Sequence, residues 1–245
     1  MMNAAELLLL PGTLCDERVF TPVLTALGST HRTLALCGAA STHDMAGLIL
    51  EQAPPRFALC GFSLGAIVAL EVVALAPERV ERLALLGCNA RAVPADKAAA
   101  RRATVRIAQR EGTASYLATA WDASVPAWRH DDKGLRAELE AMAAATALTA
   151  FRDQIEISIN RRDMLGTLGT IVVPSLVACG EEDRVCPPEL SREIADAIPG
   201  ATLAIVERAG HYLTLDQPDA VARLLRDWLA APLPIPTQQF AKEFS

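Results

Sequence analysis

The 245-residue chain has no apolar run approaching the ~20 residues needed to span a bilayer. Its first residues, Met1 to Glu6, carry no basic stretch ahead of Leu7–Leu10, and that run is shorter than the core of a secretory signal. No two cysteines are spaced C-x-x-C. Cys15, Cys37, Cys60, Cys88, Cys179 and Cys186 are scattered, mostly at the ends of apolar runs. They read as reduced, mostly buried thiols rather than a disulfide framework or a metal site. A basic excess is also missing. The 23 Lys and Arg face 29 Asp and Glu, a net charge of −6, which disfavours nucleic acid and anionic membranes as partners. Internal repeats are absent. Together these absences predict a cytoplasmic protein.

What the chain does hold is apolar: 51% of its residues are hydrophobic. That suits helices packed on a buried sheet, and the length suffices for one domain with a large core. Short runs rich in Leu, Val and Ile recur at Leu7–Leu10, Thr33–Cys37, Phe57–Cys60, Leu83–Leu86, Ile171–Cys179 and Leu203–Val206. They alternate little and so read as strands buried on both faces. Helical patterns lie between them at Leu64–Leu75, Pro188–Ala197 and Ala220–Leu229. This alternation predicts an α/β fold of about six core strands, mainly parallel, with helices on both faces.

From Pro94 to about Asp163 the rhythm breaks. Helical stretches near Asp96–Arg110, Thr113–Trp121, Gly134–Leu148 and Ala150–Arg161 follow one another with no strand. A simple crossover needs one helix, so this succession predicts a helical lid inserted between two strands. The expected organisation is a first core part over 1–93, the insertion over 94–165, a second core part over 166–231 and a loosely attached tail over 232–245.

The strongest chemical signal is Gly61-Phe62-Ser63-Leu64-Gly65, set between the run ending at Cys60 and the helical run from Ala66. In a strand–turn–helix context, G-x-S-x-G holds a serine hydroxyl out at the C-terminal edge of a sheet. Orphan N–H groups at the helix start can there stabilise developing negative charge. An alcohol is a weak nucleophile at neutral pH and needs a base. His31 and His43 lie in early polar loops, and His130 lies in the insertion beside Asp131 and Asp132. Only His211, in Arg208-Ala209-Gly210-His211-Tyr212, follows a core strand at the serine's edge. That base needs a carboxylate to orient it. Asp183 follows the strand Ile171–Cys179, with Glu181 and Glu182 as positional rivals. Two donors would complete an oxyanion hole: the N–H of Leu64, and one from the loop Pro11–Cys15, with Thr13 preferred and Leu14 the alternative.

These residues together resemble the α/β-hydrolase superfamily over nearly all of Leu7 to Leu229. Pro77-Glu78-Arg79-Val80, Gly180-x-x-Asp183 with Pro187, and Gly210-His211 with Gln217-Pro218 look like family blocks. The resemblance implies a catalytic triad of Ser63, Asp183 and His211. It favours Asp183 over the two glutamates, because the family acid falls at that spacing after the glycine. It implies no metal and no organic cofactor. Two departures stand out. The chain enters almost directly at Leu7–Leu10, which predicts a sheet without the family's two N-terminal strands. Gly38-Ala39-Ala40-Ser41 stands where relatives often carry Asp-x-Pro-Gly-x-Gly-x-Ser.

The expected activity is serine-dependent hydrolysis of a carboxylic ester of a small or medium acyl group, with water and a small-molecule ester as partners. The same machinery also serves carbon–carbon bond hydrolysis, lactone opening, a lyase reaction or perhydrolysis. A non-catalytic ligand receptor on this scaffold is a further alternative. Leu14, Trp121, Trp128 and Phe151 are candidate pocket residues, with Met142 and Met164 beside them. Arg102, Arg106 and Arg110 recur every fourth residue, as either a solvated helix face or a dock for an anionic partner.

Overall fold

Successive apolar residues on a strand must be buried on both sides, and the fold meets that demand with one parallel sheet between two layers of helices. The computed structural model describes residues 6–28 and 31–233. The strands are β1 (Glu6–Leu10), β2 (His31–Thr33), β3 (Phe57–Phe62), β4 (Val80–Leu86), β5 (Ser175–Gly180) and β6 (Thr202–Val206). Their order is β2-β1-β3-β4-β5-β6, and every pairing is parallel. Leu7, Leu9, Ala58, Cys60 and Phe62 feed one apolar layer, while Leu8, Leu10, Phe57 and Leu59 feed the other. This is the period of two that a strand imposes.

The helices are α1 (Thr21–Leu27), α2 (Thr42–Gln52), α3 (Leu64–Leu75), α4 (Ala95–Glu111), α5 (Ser115–Ser124), α6 (Lys133–Ala145), α7 (Leu148–Asn160), α8 (Pro188–Ala197), α9 (Leu213–Asp216) and α10 (Pro218–Ala230). Val23 of α1 and Val221, Leu225 and Trp228 of α10 pack in one layer. Met45 and Ile49 of α2, the apolar residues of α3, and Ile194 of α8 pack in the other. Helices α4 to α7 all fall between β4 and β5. The chain passes from β1 out to β2 and back across to β3, so the strand order reverses between β1 and β3. In open α/β sheets, ligand crevices open at the carboxyl ends of the strands flanking such a reversal.

Two strands depart furthest from their sequence-based limits. The second is His31–Thr33 rather than Thr33–Cys37. The N–H of Leu34 still reaches the Leu9 carbonyl at 3.0 Å, but the Leu36 carbonyl accepts from the side chain of Gln154 at 3.1 Å. Leu34 and Leu36 are therefore buried as loop residues rather than as strand. The fifth begins at Ser175, not Ile171. Pro174 has no N–H to give a ladder, although its carbonyl accepts from Leu83 at 3.1 Å. The tail expected from 232 lies, from 234 onward, outside the described residues.

Candidate active site

Phe62 ends β3 and Leu64 begins α3, so one residue, Ser63, makes the whole turn. It does so at φ 52° and ψ −112°, in a region non-glycine residues seldom occupy. Its N–H is held by the Leu86 carbonyl at 2.8 Å. The glycines on either side are required by close approach. A Cβ on Gly61 would stand 2.5 Å from the Cα of Ala66, and one on Gly65 would stand 2.5 Å from the carbonyl carbon of Leu10. The sharp turn brings α3 back against the ends of β1 and β3, and only hydrogen fits between the backbones.

His211 and Asp183 arrive from the loops after β6 and β5. His211 Nε2 lies 2.8 Å from Ser63 Oγ, and His211 Nδ1 lies 2.8 Å from Asp183 Oδ2. A carboxylate only accepts, so Nδ1 carries the proton and donates to Asp183. Nε2 is then left as the acceptor for the Ser63 hydroxyl. Asp183 is 2% exposed and His211 5%. Burying a carboxylate costs several kcal/mol unless its lone pairs are used. Here Oδ1 accepts the N–H groups of Val185 and Cys186, each at 2.8 Å. Glu181 is exposed and Glu182 half-buried; their backbone N–H groups bind Val206 and Ala209, and neither side chain joins the chain of contacts to His211. His211 is itself anchored through its N–H to the Ser124 carbonyl at 2.8 Å.

The neighbouring Gly210 N–H donates to Asp216 Oδ2 at 2.8 Å, and Arg129 Nη1 binds Asp216 Oδ1 at 2.8 Å. Asp216 is buried, and that burial pushes its carboxyl above the usual range despite the bonds from Gly210 and Arg129. This network ties the histidine loop to the helical segment between β4 and β5.

Thr13 and Leu64 both border the cavity that contains Ser63. Leu64 is the first residue of α3, where a backbone N–H has no partner within the helix. Leu14 stands at φ 57°, and its N–H is engaged by Gln154 Oε1 at 3.0 Å. Of the two loop donors considered, Leu14 is thus committed to the protein and Thr13 is not. Gln154 is 4% exposed and bridges the loop after β1 to the Leu36 carbonyl after β2. It had no signal in the sequence, being one polar residue in an amphipathic helix.

Two cavities meet at Ser63, of about 170 and about 60 Å³. Ile155, Ser158, Arg101 and Arg161 help line the first, and Tyr116 lines both. Leu14, Trp121, Trp128 and Phe151 are not among their walls. Trp121 is buried with Arg136 over its ring at 4.7 Å, and Phe151 packs edge-on against Tyr116. Trp128 is 48% exposed, between Arg129 and Arg208. Apolar bulk drew Trp121 and Phe151 into packing, Trp128 stands at the surface, and smaller or polar residues border the space. Met142 is buried in α6, and Met164 borders a separate groove beside α3. Arg102, the first of the spaced arginines, binds Glu156 at 2.7 Å on the outer face, and Arg106 and Arg110 are exposed.

Five of the six cysteines are buried, and burial pushes the thiols of Cys15, Cys60 and Cys88 up to about 12. Thiols held protonated in this way are poor nucleophiles. Among the described residues, no group of three or more His, Cys, Asp or Glu is placed to hold a metal ion, and no helix is long and apolar enough to cross a membrane.

The chain also resembles known proteins. A carbamate hydrolase, so named provisionally, from Klebsiella pneumoniae is 28% identical over 187 residues, covering 74% of this chain and 68% of that one. A pimeloyl-[acyl-carrier protein] methyl ester esterase of Methylococcus capsulatus is 28% identical over 200 residues, 78% of this chain and 77% of its own. Among solved structures, a thermophilic esterase from Thermogutta terrifontis superposes with a TM-score of 0.82 at 22% identity, over 92% of this chain and 89% of that one. That last likeness speaks for the fold alone. The sequence model of the alpha/beta hydrolase family matches residues 5–224. With a matched segment spanning all six strands, the chain belongs to the alpha/beta hydrolase family and is an enzyme of the hydrolase class.

Proposed function

We propose that the protein is a serine hydrolase that cleaves a carboxylic ester of a small or medium acyl group through Ser63, His211 and Asp183. The observation that carries this reading is the unbroken series Ser63 Oγ, His211 Nε2, His211 Nδ1 and Asp183 Oδ2, with 2.8 Å at each contact. Ser63 attacks the ester carbonyl while His211 Nε2 takes its proton. The N–H groups of Leu64 and Thr13 hold the oxyanion, at the N-terminus of α3 where the helix dipole favours negative charge. His211 returns the proton to the leaving alcohol. Water then attacks the acyl-enzyme with His211 again as base. Asp183 accepts from Nδ1–H throughout, fixing the tautomer and stabilising the imidazolium.

The helical segment over 94–165 acts as a lid in this reading. Arg101 of α4, Tyr116 of α5, and Ile155 and Ser158 of α7 line the cavity with Ser63, which supports the assignment. The lid then sets which acyl and alcohol groups enter, while the core supplies the reacting groups.

The test is a panel of 4-nitrophenyl esters of increasing acyl length, assayed with wild type and Ser63→Ala. The expected result is a loss of about 10⁴-fold or more in the variant, with its fold retained by circular dichroism. Equal rates for the two proteins on every ester would overturn the reading.

A further inference from the structure

Arg101 and Arg161 stand on different elements but converge on one residue. Arg101 Nη1 donates to Ser158 Oγ, and Arg161 Nη1 donates to the Ser158 carbonyl at 3.2 Å. Both side chains border the cavity that contains Ser63. Arg161 is 7% exposed, and its Nε is held by the Arg91 carbonyl at 2.7 Å.

Their sequence neighbours Arg102 and Arg162, and Arg91 whose carbonyl Arg161 binds, each have a carboxylate partner. Arg102 binds Glu156 at 2.7 Å, Arg162 binds Glu71 at 2.9 Å, and Arg91 binds Glu193. Arg101 and Arg161 have none among the described residues. Burial, and after it the charge of Arg101, holds the Arg161 guanidinium below its usual range. Two guanidinium groups that stay charged, sharing one cavity without an anion, are costly to the folded protein. Arg161 Nη2 and Arg101 Nε and Nη2 have no acceptor among the described residues. Asn89 also borders the space; its Oδ1 accepts the Arg91 N–H at 2.9 Å, which leaves its amide N–H groups as further donors.

Resting on the serine hydrolase reading above, we propose that the substrate carries a free carboxylate, which Arg101 and Arg161 bind in the cavity beside Ser63. A carboxylate offers two coplanar oxygens that match a guanidinium edge. It would compensate the paired positive charge that the protein itself leaves open. The reaction is then hydrolysis of a half-ester, in which one carboxyl group anchors and the other reacts.

The experiment compares kcat/KM for mono-4-nitrophenyl adipate and 4-nitrophenyl hexanoate, matched in acyl carbons, after subtraction of enzyme-free hydrolysis. Wild type should favour the carboxylated ester by about tenfold or more, and Arg101→Gln should lower that ratio by about tenfold, with Arg101→Lys recovering part of it. A wild-type ratio at or below one, or a ratio unchanged in Arg101→Gln, overturns the proposal. A second measurement avoids chemistry. Calorimetric binding of monomethyl adipate to Ser63→Ala protein should be seen, and should be lost when Arg101→Gln is added. Binding of inorganic phosphate in place of monomethyl adipate would also overturn it. If Ser63→Ala hydrolyses every ester as wild type does, the hydrolase reading fails while the binding measurement still decides the anion site.

Discussion

The turn between β3 and α3 and the helices between β4 and β5 both reach Ser63, yet they are held by different forces. At the turn, backbone meets backbone. Gly61 and Gly65 leave no room for a methyl group, and Ser63 is fixed at positive φ by a bond to β4. The helical segment has backbone bonds to the core at Ala123 and Ser124 but is tied down mainly by side chains: Arg102 to Glu156, Arg129 to Asp216, Gln154 to Leu14 and Leu36, and Asp132 capping α6. A backbone constraint admits almost no substitution, whereas a side-chain tie can be exchanged for another. In the proposed mechanism the nucleophile thus sits on the unchangeable part, and the cavity walls contributed by the helical segment sit on the changeable one.

The contrast can be broken most severely at the turn. Gly65→Ala drives a methyl group into the carbonyls of Leu10 and Pro11, neither of which can move aside. It should cost about 3 kcal/mol or more, a fall in Tm of roughly 6–12 °C. Gly134→Ala in α6 meets only the Asp132 carboxylate, at 3.3 Å, and should change stability by less than about 0.5 kcal/mol. Equal costs in thermal denaturation would show that the two regions are not constrained differently.

Gln154 is the point where the helical segment grips the loop beside the serine. Gln154→Ala leaves the Leu14 N–H and the Leu36 carbonyl buried without partners. That should cost about 1–3 kcal/mol of stability. It should also lower kcat on 4-nitrophenyl esters more than it raises KM, since Thr13 adjoins the freed residue. An unchanged kcat with an unchanged Tm would mean that the two regions function independently.

The smallest effect is expected in acid. The Leu135 N–H, followed by the Arg129 guanidinium, holds the Asp132 carboxyl below the usual carboxylate range, and hydrogen bonding from Arg102 does the same for Glu156. A carboxylate whose folded pKa is depressed contributes stability above its unfolded pKa, and loses it as pH falls through the folded value. Below about pH 4, amide exchange should therefore quicken in α4, α6 and α7 before it does in β3 and β4. Simultaneous loss of protection across both would erase the distinction.

Much of the molecule was legible because its signals were local. Six apolar runs became six strands, and Leu64–Leu75 and Pro188–Ala197 became α3 and α8 at those limits. Ser63 was legible because the glycines that make its turn possible are its own neighbours. His211 was found by its place after the last strand. Asp183 needed the family spacing, and the structure brings it rather than Glu181 or Glu182 to the histidine. Trp121 and Phe151, expected around the pocket, are buried without lining either cavity at Ser63. Apolar bulk marks burial, and burial alone does not distinguish a core from a wall.

The sequence by itself determined the layered sheet, the serine turn and the order in which Asp183 and His211 follow it. Each depends on periodicity or on adjacent residues, and both are written along the chain. Only the tertiary structure decided that Gln154 takes the N–H of Leu14 140 residues away, that Asp216 clamps the histidine loop through Arg129, and that Arg101 and Arg161 share a cavity without a counter-ion. These are meetings between distant segments. Their energy comes from partners that no local pattern names, so nothing in the neighbouring residues could announce them.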